Sequence, residues 1–256
     1  MSESGKSLLE IRGMSKSYHD TPDAREVISN FDLTLNEGDF LCILGPSGCG
    51  KTTLIRCIAG FEDYEGDISV DGNKVTRPGI DRMMIFQDYN QLLPWKTVIR
   101  NVAYPLKING VSDKEERRRR AMEYLEMVNL ADYAYFYPHQ LSGGMKQRVA
   151  IARGLVMNPK IILMDEPFAA LDAMTRNRLQ AELRGIKERT GATIIFITHN
   201  IQEAIVLGNR VIMMNKRGEI ELDIENTIPK PVTPASPGYG AMWEKFSHAL
   251  NRQMDE

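Results

Sequence analysis

The chain has 256 residues, 43% of them hydrophobic, with a formal net charge of −2 and a sequence pI of about 6.2. That length supports one sizeable core, and the near-neutral balance argues against a polyanion-binding surface, so no nucleic-acid partner is expected. Three cysteines without metal-ligand spacing (Cys42, Cys49, Cys57) fit a reducing compartment, and no apolar run reaches the roughly 18 residues a membrane span needs.

The N-terminal MSESGKSLLEIRG lacks the apolar stretch of a secretion signal. LLEIRG, VISNFDLTL and FLCIL then alternate or run apolar between turn residues, which predicts strands. FLCILG (40–45) is wholly apolar up to its glycine and reads as a buried parallel strand. TTLIRCIAG (52–60) has helical spacing and a terminal glycine, so 45–53 is a loop between strand and helix. GDISVDGNKV (66–75) predicts a hairpin. From 98 to 135 the period turns helical, and the basic block KEERRRR (114–120) follows an S-x-x-E pattern, Ser112 and Glu115, that predicts a capping box before a solvated helix face. MKQRVAIARGLVM (145–157) is again helical. KIILMDE (160–166) and ATIIFITHN (192–200) are buried strands with the helix of 175–191 between them, a βαβ pattern. VIMMNKRGEIEL (211–222) reads as a last hairpin, 227–240 as an extended linker and 241–256 as a short helix.

Two motifs carry the chemistry. GPSGCGKT (45–52) matches G-x-x-x-x-G-K-[ST], in which backbone N–H groups and a helix N-terminus cradle phosphates. Its Lys51 reaches the β- and γ-phosphates, and the Thr52 hydroxyl suits Mg²⁺. IILMDEP (161–167) places Asp165 at the carboxyl end of a buried strand, where it suits the metal shell, with Glu166 next to it as candidate general base. Together they predict a P-loop nucleotide hydrolase or kinase. A third stretch, LSGGMKQR (141–148), offers a second set of anion-binding groups at a helix start, far from the P-loop in sequence.

LSGGMKQRVAIAR (141–153) resembles the signature of the ATP-binding cassette (ABC) family, and the resemblance extends over roughly residues 8–222. Gln87 in MMIFQDY resembles the Q-loop glutamine, AALD (169–172) the D-loop, His199 the switch histidine and Tyr18 the aromatic residue that stacks on adenine. The resemblance implies an α/β fold: a P-loop NTPase (RecA-like) core with an antiparallel β subdomain and an inserted α-helical signature subdomain. It implies an ATP-binding domain at 8–226, its helical subdomain at about 92–155, and a C-terminal extension at 227–256. The implied cofactors are ATP and Mg²⁺. ATP is expected to meet Tyr18, Gly45, Pro46, Ser47, Gly48, Cys49, Gly50, Lys51, Thr52, Thr53, Gln87, Ser142, Gly143, Gly144, Asp165 and His199. Thr52, Gln87 and Asp165 are the implied metal ligands, and Glu166, His199 and Gln87 the catalytic group. In this family two subunits meet head to tail, and Ser142 with the Gly143–Gly144 backbone caps the γ-phosphate held by the other subunit's P-loop.

Met145, Ala169 and Asn200 depart from the commonest family residues at their positions. Ser142 and the glycines do the capping, so the ATPase expectation stands. Cys49 reads as a small filler in the P-loop whose alkylation blocks ATP binding. LLPW-x-TV-x-x-NV (92–102), LSGGMKQR and LDAMTR (171–176) look like the ATPase subunits of nitrate, sulfonate, taurine and bicarbonate importers. That resemblance implies a separate integral-membrane permease, an external solute-binding protein acting indirectly, and a peripheral location on the cytoplasmic face of the cell membrane. An ABC ATPase of lipid trafficking and a soluble, non-transport ABC ATPase are the alternatives. A P-loop kinase is disfavoured because it has no use for LSGG.

Overall fold

The computed structural model describes residues 7–18, 25–87 and 91–255. The chain divides into two compact units, residues 1–79 with 193–256, and residues 80–192.

The first unit carries two sheets. One is antiparallel, in the order β2-β1-β4-β5: β1 (Ser7–Tyr18), β2 (Arg25–Asn36), β4 (Glu65–Val70) and β5 (Asn73–Lys74). A two-residue turn, Asp71-Gly72 with φ of 49° and 75°, joins β4 to β5, the geometry that matches strand twist. The other set runs β10-β9-β3-β8: β3 (Phe40–Leu44), β8 (Thr193–Ile197), β9 (Arg210–Met214) and β10 (Ile220–Glu225). β3 pairs parallel with β8 and β9, and β10 turns back antiparallel. All five residues of β3 and of β8 are buried, as the apolar run of β3 and the IIFI of β8 require. Helix α1 (Lys51–Ala59) follows β3 and ends at Gly60 in the left-handed conformation.

The tail carries the expected terminal helix, but the segment before it is not a free linker. Residues 226–238 contain no helix or strand, yet they are fastened to α6 (Ile201–Leu207). Asn226 Nδ2 donates to Ile205 O at 2.7 Å and Gly208 O at 2.8 Å, and Lys230 Nζ to Val206 O at 3.1 Å and Gly208 O at 2.9 Å. These donors satisfy carbonyls that the end of α6 leaves open. Helix α7 (Tyr239–Asp255) has 17 residues and packs on α6, with Phe246 and Ala249 fully buried. Tyr239, Met242, Phe246 and Ala249 recur at helical spacing, so an apolar stripe holds it there.

The second unit pairs β6 (Arg82–Ile85) parallel with β7 (Ile161–Asp165). Its helices are α2 (Val98–Ile108), α3 (Lys114–Met127), α4 (Gly143–Leu155) and α5 (Ala173–Thr190). The expected cap of α3 is corrected: Asp113, not Ser112, is the N-cap, and its carboxylate accepts from Glu115 N at 3.0 Å. The Ser112 carbonyl instead accepts from Arg117 at 2.6 Å. An ionised carboxylate is the stronger acceptor, so the aspartate takes the cap.

Candidate functional site

In the first unit the P-loop closes around a cation. Lys51 is buried, and its Nζ donates to Gly45 O and Pro46 O, each at 2.8 Å. The loop's own carbonyls thus hold the ammonium at its centre, where an incoming phosphate would meet it. Gly45, at φ 155°, has no alternative: a Cβ there would stand 2.7 Å from both Cys49 Sγ and the carbonyl oxygen of Met214. Ser47, Gly48 and Thr52 are exposed around the rim. Gly50 is the N-cap of α1 and makes no side-chain cap, so the first amides of α1 face the loop without a side-chain acceptor from that residue. Cys49 is 1% exposed, and burial pushes its thiol above the ordinary value against the pull of Lys51.

His199 leaves the strand beside that loop. β8 lies parallel to β3 with Ile197 opposite Ile43, and Thr198 N donates to Ile43 O at 3.2 Å. The imidazole is exposed while Thr198, just before it, is buried. Tyr18 ends β1 half-buried, with Lys16 Nζ 4.8 Å from its ring centroid. The residues that follow it, 19–24, lie outside the described residues.

The second unit repeats this geometry. Ile85 stands opposite Met164 in the β6–β7 pair, so Gln87 and the Asp165–Glu166 pair leave the carboxyl ends of adjacent parallel strands, the place where open α/β sheets bind ligands. Asp165 is 8% exposed. Glu166 adopts a φ of 43°, a left-handed conformation that is uncommon for a residue with a side chain. Its carbonyl accepts from Ala169 N at 3.1 Å, so the chain turns at once after the strand. Such a conformation costs about 1–3 kcal/mol and clusters at functional sites.

Ser142 caps α4, its Oγ accepting from Met145 N at 3.3 Å. The signature and D-loop come together: Ser142, Gly143, Gly144, Ala170, Leu171, Asp172 and Thr175 line one cavity of about 310 Å³. Gly144 permits that approach, since a Cβ on it would lie 2.8 Å from Thr175 Cγ2. Behind the contact, Arg148 of α4 pairs with Glu182 of α5 at 2.8 Å. Asp172 caps α5, and hydrogen bonding to Thr175 holds its carboxyl below the usual range.

Two supporting residues were not singled out from the sequence. Arg153, in the last turn of α4, donates to Gln91 O at 2.9 Å and Gln91 Oε1 at 3.0 Å, and Gln91 Nε2 donates to Phe86 O at 3.2 Å. The signature helix therefore holds the segment that flanks Gln87. Asn101, fully buried, accepts from Leu93 N at 2.8 Å and donates to the carbonyls of Leu93, Lys96 and Thr97 at 3.0–3.1 Å. It shapes the loop that leaves Trp95 68% exposed while Leu92 is buried. The arginine of LSGGMKQRVAIAR and the asparagine of TVIRNV are polar residues on otherwise apolar helix faces, and that was the available signal.

Parallel strands, a P-loop and carboxylates at strand ends define a P-loop nucleotide hydrolase or kinase. Residues 28–169, just over half of the chain, match the ABC transporter family. The aliphatic sulfonates import ATP-binding protein of Bacillus cereus is 41% identical over 246 residues, 95% of this chain and 96% of that protein. The nitrate import ATP-binding protein of Synechocystis is 44% identical over 223 residues, 86% of this chain and 83% of that protein. An ATP-binding cassette solved as a dimer in a post-hydrolysis state, bound to ADP and Pi, matches with a TM-score of 0.75 at 35% identity over 85% of this chain and 98% of that one. The chain belongs to the ABC transporter family and is an ATP-hydrolysing member of it. Among the described residues no helix is long and apolar enough to cross a membrane.

Proposed function

We propose that the chain is the ATPase subunit of a small-solute importer and works as a head-to-tail pair with a second copy of itself. One observation carries the pairing. The cavity of Ser142, Gly143 and Gly144 offers a hydroxyl and helix-terminal amides, but among the described residues no basic side chain lines it. The buried Lys51 belongs to the P-loop. A cap without a cation and a cation without that cap are complementary halves, which supports a C2 arrangement with two nucleotides at one interface.

In this reading residues 45–53 hold the phosphates, Tyr18 stacks on adenine and Ser142–Gly144 of the second copy cap the γ-phosphate. Glu166 polarises the attacking water, and His199 contacts the γ-phosphate and orients that water. Thr52, Gln87 and Asp165 supply hydroxyl, amide and carboxylate oxygens, a donor set suited to Mg²⁺. Bound there, the cation would neutralise charge building on the phosphoryl oxygens. Residues 8–226 form the ATP-binding domain, 92–155 its helical subdomain and 227–256 a C-terminal extension.

The import role, with nitrate-, sulfonate-, taurine- or bicarbonate-like solutes, is supported by what the similar proteins are named for. It calls for a membrane permease, an external solute-binding protein, and a place on the cytoplasmic face of the membrane. Trp95 and the basic, tyrosine-bearing groove of about 750 Å³ around Arg100, Tyr104 and Tyr135 are the surface offered to that permease. Ser142→Arg is expected to abolish ATP hydrolysis yet leave ATP binding to the isolated monomer intact. Loss of monomer binding would refute the two-half arrangement. Co-purification with soluble partners alone, and no permease, would refute the transport role.

A further inference from the structure

Around His199 lies a closed ring of hydrogen bonds that the mechanism above does not use. The Thr198 hydroxyl donates to Glu203 Oε2. The Thr198 hydroxyl oxygen also accepts from Asn200 N at 3.0 Å, and Asn200 Oδ1 accepts from Glu203 N at 3.2 Å. Thr198 is 2% exposed and Glu203 6%, so the central contact is shielded from water. A hydroxyl has one proton, and the bond from Asn200 N fills an acceptor lone pair. That proton is therefore committed to Glu203. The residues on both sides of His199 are thereby fixed to the first turn of α6, while the imidazole between them stays exposed. Thr198 N is also bonded to Ile43 O, two residues before the P-loop begins.

The pattern departs from an ordinary capping box. Asn200 is the N-cap and Glu203 the third helical residue, so the Glu203 side chain would normally return to Asn200 N. Here Asn200 N goes to Thr198, and Glu203 reaches past it. A carboxylate nearly removed from water is costly unless bonded, and one of its bonding partners is the residue preceding the histidine.

We propose that Thr198 and Glu203 are positioning residues for His199: their buried bond sets where the imidazole stands relative to the P-loop. This rests on the assigned role of His199 in hydrolysis. Thr198→Val keeps the side-chain shape and removes both bonds of the hydroxyl. In the full chain it is expected to lower kcat by about 10–100-fold, the range of an ångström-scale misplacement, with the Kd for ATP unchanged. Thr198→Ser should restore turnover. In a His199→Ala background Thr198→Val should cause no further loss, because both changes remove one function. If Thr198→Val does not fold, Glu203→Met removes the acceptor at similar volume and should give the same result. An active Thr198→Val or Glu203→Met beside an inactive His199→Ala overturns this proposal alone, as do additive losses in the double variant. Wild-type turnover of His199→Ala overturns the histidine's role and the positioning proposal with it.

Discussion

Gly144→Ala is the substitution whose consequence is most open to calculation. The added Cβ would lie 2.8 Å from Thr175 Cγ2, whereas ordinary carbon contacts begin near 3.4 Å and extend to 4 Å. Thr175 sits in the first turn of α5 and is stiff about χ1, so relief requires α4 and α5 to separate by roughly 0.6–1 Å. Overpacking of this kind costs about 1–3 kcal/mol, and the better helix propensity of alanine offsets at most about 1 kcal/mol. Net destabilisation is therefore on the order of 0–3 kcal/mol, and the protein should still fold. The larger effect is on activity, because α4 carries Ser142 at its N-cap and the cavity shared with the D-loop opens. If Ser142 caps phosphate as proposed, a displacement of about 1 Å there is expected to reduce kcat by up to about 10²-fold. Steady-state ATPase assays with a melting curve measure both quantities. Thr175→Ser deletes the obstructing methyl, so Gly144→Ala/Thr175→Ser should recover most of the lost turnover. Full activity of the single variant, or no recovery in the double, would refute the packing account of this glycine.

Three further expectations are independent of it. Glu166→Gln should retain ATP binding and slow hydrolysis by about 10²–10⁴-fold; turnover at the wild-type rate would remove Glu166 as the base. Cys49 should react with iodoacetamide much more slowly in the folded protein than in denaturant, being buried with a raised pKa, and ATP binding should be lost once it is modified. Equal labelling rates, or retained binding after confirmed modification, would contradict this. Phe246→Ala removes a fully buried ring of α7 and should cost about 3–5 kcal/mol, a fall in Tm of about 6–20 °C, whereas an unchanged Tm would mean that the tail is not part of the folded unit.

The segments proposed to bind phosphate were the most legible. FLCIL is apolar because β3 is buried throughout, and glycines at 45, 50 and 60 mark the loop and the end of α1. Local chemistry dictates these features, so a single sequence displays them. The cap at Asp113 was missed by one residue, because two capping residues stand side by side and only the geometry selects between them. In the tail the expected helix is present as α7, while the attachment of the segment before it was not legible, for a different reason. Its proline-rich stretch looks like a linker, but Asn226 and Lys230 find their acceptors on α6, some 20 residues earlier. Tyr239, Met242, Phe246 and Ala249 recur at helical spacing, but that spacing does not name the helix that covers them. Asn200-x-x-Glu203 is likewise a visible capping pattern. That Glu203 bypasses it for Thr198 depends on side-chain directions that only coordinates supply.

The central claim is that each ATP is held by Lys51 of one copy and Ser142 of another. Mixing Lys51→Ala with Ser142→Arg tests it most directly, each variant being inactive alone. In a mixed pair, the intact P-loop of the Ser142→Arg chain meets the intact signature of the Lys51→Ala chain, and one of the two sites is whole. If half the pairs are mixed and each has one working site, about a quarter of wild-type ATPase activity should return. Activity no higher than that of either variant alone, with mixed pairs shown to form, would contradict the shared-site account and place both halves of the site in a single chain.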